Sequence, residues 1–365
     1  MRNANRMPPN FAIEATCLLD RNQTGISRYT RNLIAQLAQL ADGGREFVVT
    51  QAYRASRWRR RMQLSDSGPL RRQVWQRGWW PPVKPYALVH CPDHRLPHWR
   101  IPKIVTIHDV YAALGINFEG ANRDKQVAIY ADFARRADRI IFDSEHSRQD
   151  FMRLFPYDIQ RTRVIHLGVD ASFHPRPPEA LAATRAKYGL DRPYLLFLGV
   201  NNPNKNLLRL VEAYSRCAAR RDLQLVLAGP LRPQPEAQLR QRLRELDIES
   251  TTRMLGYLNA ADVPLLYAGA AALMLPSIYE GFGLPILEAM ASAIPVLAST
   301  AASCPEVAAG HAVLVDPASV DDIASGIDRV LTLTAEQIEA ARRYAVGKTW
   351  RATALQTLEV YRDVS

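Results

Sequence analysis

The chain has 365 residues, of which 47% are hydrophobic and 23% charged, and its formal net charge is +11. This length suits two domains, and the composition is that of an ordinary folded protein. No apolar run approaches the ~18 residues of a membrane-spanning helix, and the polar start is not a signal peptide. Four widely spaced cysteines predict reduced thiols in a cytoplasmic protein. The basic charge indicates an anionic partner without choosing among nucleic acid, acidic membrane and phosphorylated substrate.

The first half alternates strand-like and helix-like stretches. A strand at residues 11–19 leads through a polar loop to an amphipathic helix that opens at Gly25. A glycine at a strand-to-helix turn lets a ligand phosphate approach the backbone, although one such glycine is usually only a turn. Further strands are predicted at residues 47–51, 88–91, 103–107 and 139–143, and helices at 122–137 and after Ser144.

His108 and Asp109 directly follow the strand at residues 103–107. A side chain at that position points into the crevice at the carboxyl edge of the sheet, where ligands bind in open α/β folds. A lone histidine is more often structural than functional. Asp109 is expected to orient the imidazole or to start the following turn.

A proline-rich stretch after Gly168-Val169-Asp170 predicts a linker, with the domain boundary near residues 170–190. We expect a first domain at residues 1–175, a second at 176–347 and a final helix at 348–365 that crosses back to the first. Strands alternate with helices through the second half, which predicts a parallel, doubly wound sheet. Those strands are predicted at residues 194–200, 223–228, 252–256, 271–276, 294–298 and 313–315.

Lys205 lies at a predicted helix start in this second half. A cation there is unfavourable for the helix dipole unless an anion binds beside it. The alternative is a solvated surface lysine.

Two carboxylates, Glu280 and Glu288, are separated by seven residues and flank Gly281-Phe282-Gly283-Leu284-Pro285. The glycines allow a sharp turn after the strand, and Pro285 suits the first turn of a helix, so we place Glu288 in that first turn. The pair is expected to accept hydrogen bonds from sugar hydroxyls. The structural alternative is a capping box formed by Ser277 and Glu280, with Glu288 as a helix-start acid.

These motifs together resemble the retaining, nucleotide-sugar-dependent glycosyltransferases of family four, which have the GT-B fold. The Glu-x7-Glu motif carries the resemblance, and Gly25-Ile-x-Arg-Tyr, His108, Gly168-Val-Asp and a loop at residues 303–307 extend it over nearly the whole chain. One departure is plain: Asn204 stands where the family commonly has an arginine paired with Lys205. The resemblance implies two Rossmann-like domains that face each other across a cleft.

The resemblance also implies the site residues. Glu280, His108 and Lys205 would be catalytic, with Lys205 neutralising the donor diphosphate. Contacts to the nucleotide-sugar would come from Gly25, Lys205, Glu280, Gly281, Phe282, Gly283, Leu284 and Glu288. Neither a metal nor a cofactor is expected, because the family is metal-independent and no Asp-x-Asp stands on a suitable loop.

The implied function is retaining transfer of a hexose, mannose or a related deoxyhexose, from a nucleotide-sugar to a glycan. A GDP-sugar is favoured, and the acceptor would be a lipid-linked glycan of cell-surface polysaccharide. Two alternatives stay open: a nucleotide-sugar 2-epimerase or phosphorylase of the same fold, and a non-enzymatic polyanion-binding protein. The second alternative leaves Glu280, Glu288 and Lys205 unexplained.

Residues 53–80 interrupt the regular pattern with eight arginines, one acidic residue and four of the six tryptophans. Tryptophan favours the membrane interface and basic residues favour anionic lipid, so residues 57–80 predict peripheral docking on the inner leaflet of the cytoplasmic membrane. The alternative is that the tryptophans pack on the first domain. Nucleic acid is not expected, because no recognised binding module contains the segment.

Overall fold

A computed structural model of the chain describes residues 8–19, 25–41, 46–54, 71–75, 86–93, 96–116 and 120–365. The chain divides into two compact units. The first comprises Met1–Gly168 and Thr349–Ser365, and the second comprises Val169–Lys348. No helix among the described residues is both long and apolar enough to cross a membrane.

The first unit is built on a parallel sheet of seven strands in the order β3-β2-β1-β4-β5-β6-β7. The central strands are short apolar runs that are buried on both faces, as a parallel sheet covered by helices requires. The strands are β1 (Asn10–Glu14), β2 (Val48–Arg54), β3 (Arg71–Trp75), β4 (Leu88–Cys91), β5 (Lys103–Ile107), β6 (Arg139–Phe142) and β7 (Thr162–Val164).

Strand β3 lies within residues 53–80, where the sequence pattern predicted no strand. Its backbone pairs in parallel with β2, from Thr50 opposite Arg71 to Arg54 opposite Trp75. The strand was missed because arginines hide the usual apolar signature, which an edge strand does not need. The rest of the basic, tryptophan-rich segment lies outside the described residues.

Four α-helices accompany this sheet in the described part of the first unit. They are α1 (Gly25–Leu40), α2 (Gly120–Arg136), α3 (Glu145–Leu154) and α12 (Trp350–Arg362). The final helix packs against α1, and its Tyr361 hydroxyl lies 2.6 Å from Nδ1 of the buried His90. At the start of α12 the chain runs so close to Gly168 that a Cβ there would lie 2.1 Å from the Trp350 backbone nitrogen.

The second unit has a parallel sheet of six strands in the order β10-β9-β8-β11-β12-β13. The strand order reverses between β8 and β11, which is where ligands bind in doubly wound sheets. The strands are β8 (Tyr194–Leu198), β9 (Gln224–Ala228), β10 (Thr252–Gly256), β11 (Ala272–Leu275), β12 (Val296–Ser299) and β13 (Val313–Val315).

Helices cover both faces of this second sheet, and one of its cores packs Leu210, Leu225 and Ile327 together. The helices are α4 (Pro178–Tyr188), α5 (Leu207–Arg216), α6 (Pro233–Glu245), α7 (Val263–Ala268), α8 (Leu284–Ala291), α9 (Cys304–Ala308), α10 (Val320–Val330) and α11 (Ala335–Val346).

Candidate active site

The loop between β11 and α8 carries the first candidate carboxylate. Residues 276–283 are irregular, so Ser277 and Glu280 do not form the helix-capping box that we considered as an alternative. Gly283 has φ 97° and ψ 46°, a left-handed conformation that a glycine adopts without strain. This turn sends the chain directly from the loop into α8, with Pro285 in its first turn.

Glu280 is bound by two polar side chains. Lys205 Nζ donates to its Oε1 and Oε2 at 2.6 and 2.8 Å, and the Ser277 hydroxyl donates to Oε1 at 2.6 Å. The side chains of Lys205 and Glu280 are 18% and 9% exposed. The anion that we expected beside Lys205 is therefore supplied by the protein itself, and the ion pair remains accessible to solvent.

Asparagines hold the Lys205 loop against the Glu280 loop. Asn204 donates from Nδ2 to the Tyr279 carbonyl at 3.1 Å. The backbone carbonyl oxygen of Asn204 accepts from the Ile278 backbone N–H at 2.7 Å. Asn206 donates from Nδ2 to the Pro276 carbonyl at 2.9 Å. These bonds join the carboxyl ends of the neighbouring strands β8 and β11. The buried Asn204 thus fastens the two loops and adds no charge where the family commonly has an arginine.

Ser303 fastens the other side of the Glu280 loop, a role that the sequence did not indicate. Its buried hydroxyl lies 2.9 Å from the carbonyl oxygens of Glu280 and of Phe282. Next to it, burial and the nearby charge of Glu280 raise the pKa of the Cys304 thiol to about 12. Cys304 is therefore a protonated, structural thiol.

We predicted that Glu288 lies in the first turn of α8. It is instead the fifth residue of the helix. The helix begins at Leu284 rather than later, because Gly283 completes the turn. Glu288 is buried, with 2% of its surface exposed. Gly281, Phe282, Gly283 and Leu284 lie between the two carboxylates at the loop–helix junction.

The other two predicted site residues lie in the first unit. Gly25 is the exposed first residue of α1, and a Cβ built on it meets no described atom within 4 Å. The described residues therefore give no steric reason for a glycine there. His108 follows β5, as predicted, and its side chain is 15% exposed.

Both ring nitrogens of His108 have partners. Nδ1 lies 2.5 Å from Oδ2 of Asp143, and Nε2 lies 3.1 Å from the carbonyl oxygen of Pro92. We expected Asp109 to orient the imidazole or to start the following turn. Asp143, the residue directly after the neighbouring strand β6, is the carboxylate at Nδ1. Burial lowers the pKa of His108, but the charge and hydrogen bond of Asp143, together with Asp109 and the Pro92 carbonyl, outweigh burial, so the pKa is raised.

Comparison with known proteins assigns each unit to a family. Residues 23–173 match the family described as Glycosyltransferase Family 4, and residues 182–346 match the one described as Glycosyl transferases group 1. O-antigen chain mannosyltransferase B of Escherichia coli is 31% identical over 375 aligned positions, covering 93% of this chain and 96% of that protein.

The chain belongs to the family 4 and group 1 glycosyltransferases. A second relative of this glycosyltransferase, the MMP alpha-(1->4)-mannosyltransferase of Mycolicibacterium hassiacum, is 31% identical over 62% of the chain and 54% of its own length. Among solved structures, the sucrose-phosphate synthase of Thermosynechococcus elongatus superposes with a TM-score of 0.76 at 21% identity, covering 98% of both chains. This likeness confirms the predicted GT-B fold.

The site of this glycosyltransferase places the Glu280 carboxylate and the Lys205 ammonium group at the point where the second sheet reverses its strand order. Glu280 and Glu288 can accept hydrogen bonds from hydroxyl groups, and the Lys205 ammonium can bind an anionic oxygen. Among the described residues, no group of three or more His, Cys, Asp or Glu side chains is placed to hold a metal ion.

Proposed function

We propose that this glycosyltransferase moves mannose, or a related deoxyhexose, from a GDP-sugar to a growing glycan with retention of anomeric configuration. The observation that carries the proposal is the 31% identity to an O-antigen chain mannosyltransferase along 93% of the chain. We place the reaction in the cytoplasm, in the assembly of cell-surface polysaccharide on a lipid-linked acceptor. The basic, tryptophan-rich residues 57–80 would dock on the anionic membrane that carries this acceptor.

The second unit would hold the donor. Lys205 would bind the diphosphate, and backbone amides from Gly281 to Leu284 would share its charge as the leaving group departs. Glu280 would hold the transferred sugar by its hydroxyls, and Glu288 would hold the ribose. In the first unit, Gly25 would lie near the diphosphate, and His108 near the sugar and the acceptor.

The sugar develops oxocarbenium character as its bond to the diphosphate breaks. Charge that develops on the leaving group needs a preorganised cation, and Lys205 is the one that the loop geometry supports. The acceptor hydroxyl would pass its proton to the departing phosphate oxygen on the same face of the sugar. No protein base and no metal is required by this route.

Thermal unfolding with GDP, UDP and dTDP tests the donor class. A nucleotide at 100 times its dissociation constant stabilises the protein by about 2.7 kcal/mol, which is easily measured. We expect GDP to raise Tm most. A larger shift with UDP or dTDP would replace the GDP-sugar assignment.

A transfer assay tests the reaction. Purified enzyme with GDP-mannose and a mannose-terminated glycan should yield an α-linked product by NMR, unchanged by EDTA. An inverted linkage would contradict retention, and loss of activity in EDTA would contradict metal independence. Free nucleotide and an altered sugar formed without acceptor would indicate an epimerase.

A further inference from the structure

His108 lies between two oxygen atoms that accept hydrogen bonds when Asp143 is ionised. The Asp143 carboxylate lies 2.5 Å from Nδ1, and the carbonyl oxygen of Pro92 lies 3.1 Å from Nε2. A neutral imidazole carries one N–H and can satisfy only one of these acceptors. The doubly protonated ring satisfies both.

The competing arrangement places the proton on Asp143, so that a neutral acid faces a neutral ring. Reference pKa values near 3.9 for Asp and 6.5 for His favour the imidazolium–carboxylate form unless the surroundings reverse them. Oδ1 of Asp143 is buried without a hydrogen-bond partner in the described part of the chain, so the imidazole at Oδ2 is the group that would balance an ionised carboxylate.

The other groups around the ring agree with a cation. Asp109 adds a second negative charge that raises the pKa of His108. The buried His90 has its pKa lowered to about 3, by burial first and then by the charge of His108, and is neutral. Tyr29 contributes a ring with its centroid 5.0 Å from that of His108, and burial raises the pKa of its hydroxyl, so it adds no charge.

We infer that Asp143 is a positioning residue that keeps His108 doubly protonated and fixed in orientation, so that His108 serves as a fixed positive charge rather than as a general base. The inference deepens the proposed function, on which its catalytic consequence rests. A fixed positive charge at this edge of the sheet suits a negatively charged group, such as a departing phosphate oxygen. It also leaves the acceptor's proton to the leaving group.

Nitrogen-15 NMR of histidine-labelled protein tests the protonation state without donor or acceptor. We expect both ring nitrogens of His108 to carry protons in the wild type at neutral pH. In Asp143→Asn the amide can still accept from Nδ1–H but carries no charge, so the ring should become neutral and titrate at lower pH. A neutral His108 in the folded wild-type protein overturns the inference, even if the variant fails to fold.

The pH profile tests the consequence. Activity of the wild type should fall as pH rises through the titration of His108, whereas a general base would give a rise. Asp143→Asn should lower kcat by about 10- to 100-fold, because the neutral ring no longer stabilises charge on the leaving group, and should move the fall to lower pH. A kcat that rises with pH, or a profile that Asp143→Asn leaves unmoved, overturns the assignment.

Asp138→Asn is the matched control. Its carboxylate accepts from the Lys103 backbone at 2.8 Å, at the opposite end of the same two strands, so both the His108 spectrum and kcat should stay as in the wild type. The NMR outcome also separates this inference from the proposed function. A protein that transfers no sugar but shows an imidazolium would refute the function alone, and an active enzyme with a neutral His108 would refute the inference alone.

Discussion

The Lys205–Glu280 pair of the second unit and the His108–Asp143 pair of the first unit differ in how freely the cation can change its partner. Lys205 reaches Glu280 on a flexible four-carbon stem with three donors, and both side chains touch solvent. His108 is a rigid ring with both nitrogens bound, and Asp143 is only 2% exposed. An incoming anion can therefore draw Lys205 away from Glu280, whereas the His108–Asp143 pair keeps its geometry. A cation and a carboxylate thus form an exchangeable contact in the second unit and a fixed contact in the first.

The largest expected effect is that of Glu280→Ala. In the proposed function Glu280 contacts the sugar that develops charge, so its loss should lower kcat by about 100-fold, as for two charged hydrogen bonds. Glu288→Ala should instead weaken donor binding by about 10-fold with a smaller change in kcat, because ribose contacts persist through the reaction. Steady-state kinetics of the two folded variants measures the contrast. Equal, small effects on kcat and KM would remove both assignments.

Lys205→Ala comes next. We expect nucleoside diphosphate binding to weaken by roughly 2 kcal/mol, or about 30-fold in Kd, because no arginine stands at position 204 to share the charge. Isothermal titration calorimetry measures it. Lys187→Ala is the matched control, since Lys187 forms an ion pair with Asp262 in the same unit at 2.5 Å and is 52% exposed. A Lys205→Ala protein that binds like the wild type would put the phosphate site elsewhere.

Glu280→Gln tests partner exchange directly. With the carboxylate replaced by a neutral amide, an anion that binds Lys205 no longer has to break an ion pair. Free nucleoside diphosphate should therefore bind about fivefold tighter, equivalent to about 1 kcal/mol. The same variant should transfer sugar more slowly than the wild type. Calorimetry with the diphosphate alone separates the two effects, and weaker binding would show that Glu280 does not compete for Lys205.

The smallest effect is the pH dependence of stability conferred by His108. Its folded pKa is raised, so its stabilising contribution is fully present below the ordinary pKa near 6.5 and is lost as pH rises through the folded value. The difference in Tm between the wild type and His108→Gln should therefore shrink as pH rises. Exposed His174 supplies the control variant, His174→Gln, whose Tm should follow that of the wild type throughout. A difference that grows with pH would contradict a fixed cation.

The sequence was most informative where the determinants are local. Gly283 and Pro285 shape the turn into α8 within a few residues, so the loop and the position of Glu280 could be predicted. The placement of Glu288 was wrong by about one residue, because the first helical residue depends on the conformation of Gly283. The edge strand β3 was missed because its arginines carry no apolar pattern.

Contacts between distant residues were harder to predict. Asp143 lies 35 residues from His108, and no local pattern links the two residues. The sequence does place both residues at the carboxyl ends of predicted strands, and the structure pairs Ile107 with Phe142 at the ends of those strands. His108 follows the first of these residues and Asp143 follows the second. Two polar residues that directly follow neighbouring strands are therefore predicted to contact each other. The links from Asn204 and Ser303 to the Glu280 loop depend on tertiary packing that no local pattern encodes.

The chain passes from one unit to the other twice, and each unit closes on itself at the crossing. Gly168 lies against Trp350 on one side, and the Val169 backbone N–H donates to the Lys348 carbonyl at 2.9 Å on the other. The second unit is thus a cassette whose two ends meet, in the manner of domains that tolerate insertion and circular permutation. Cutting at 168/169 and 348/349 would leave the backbone of every described strand and helix whole, so the second units of related enzymes could be exchanged at these two bonds.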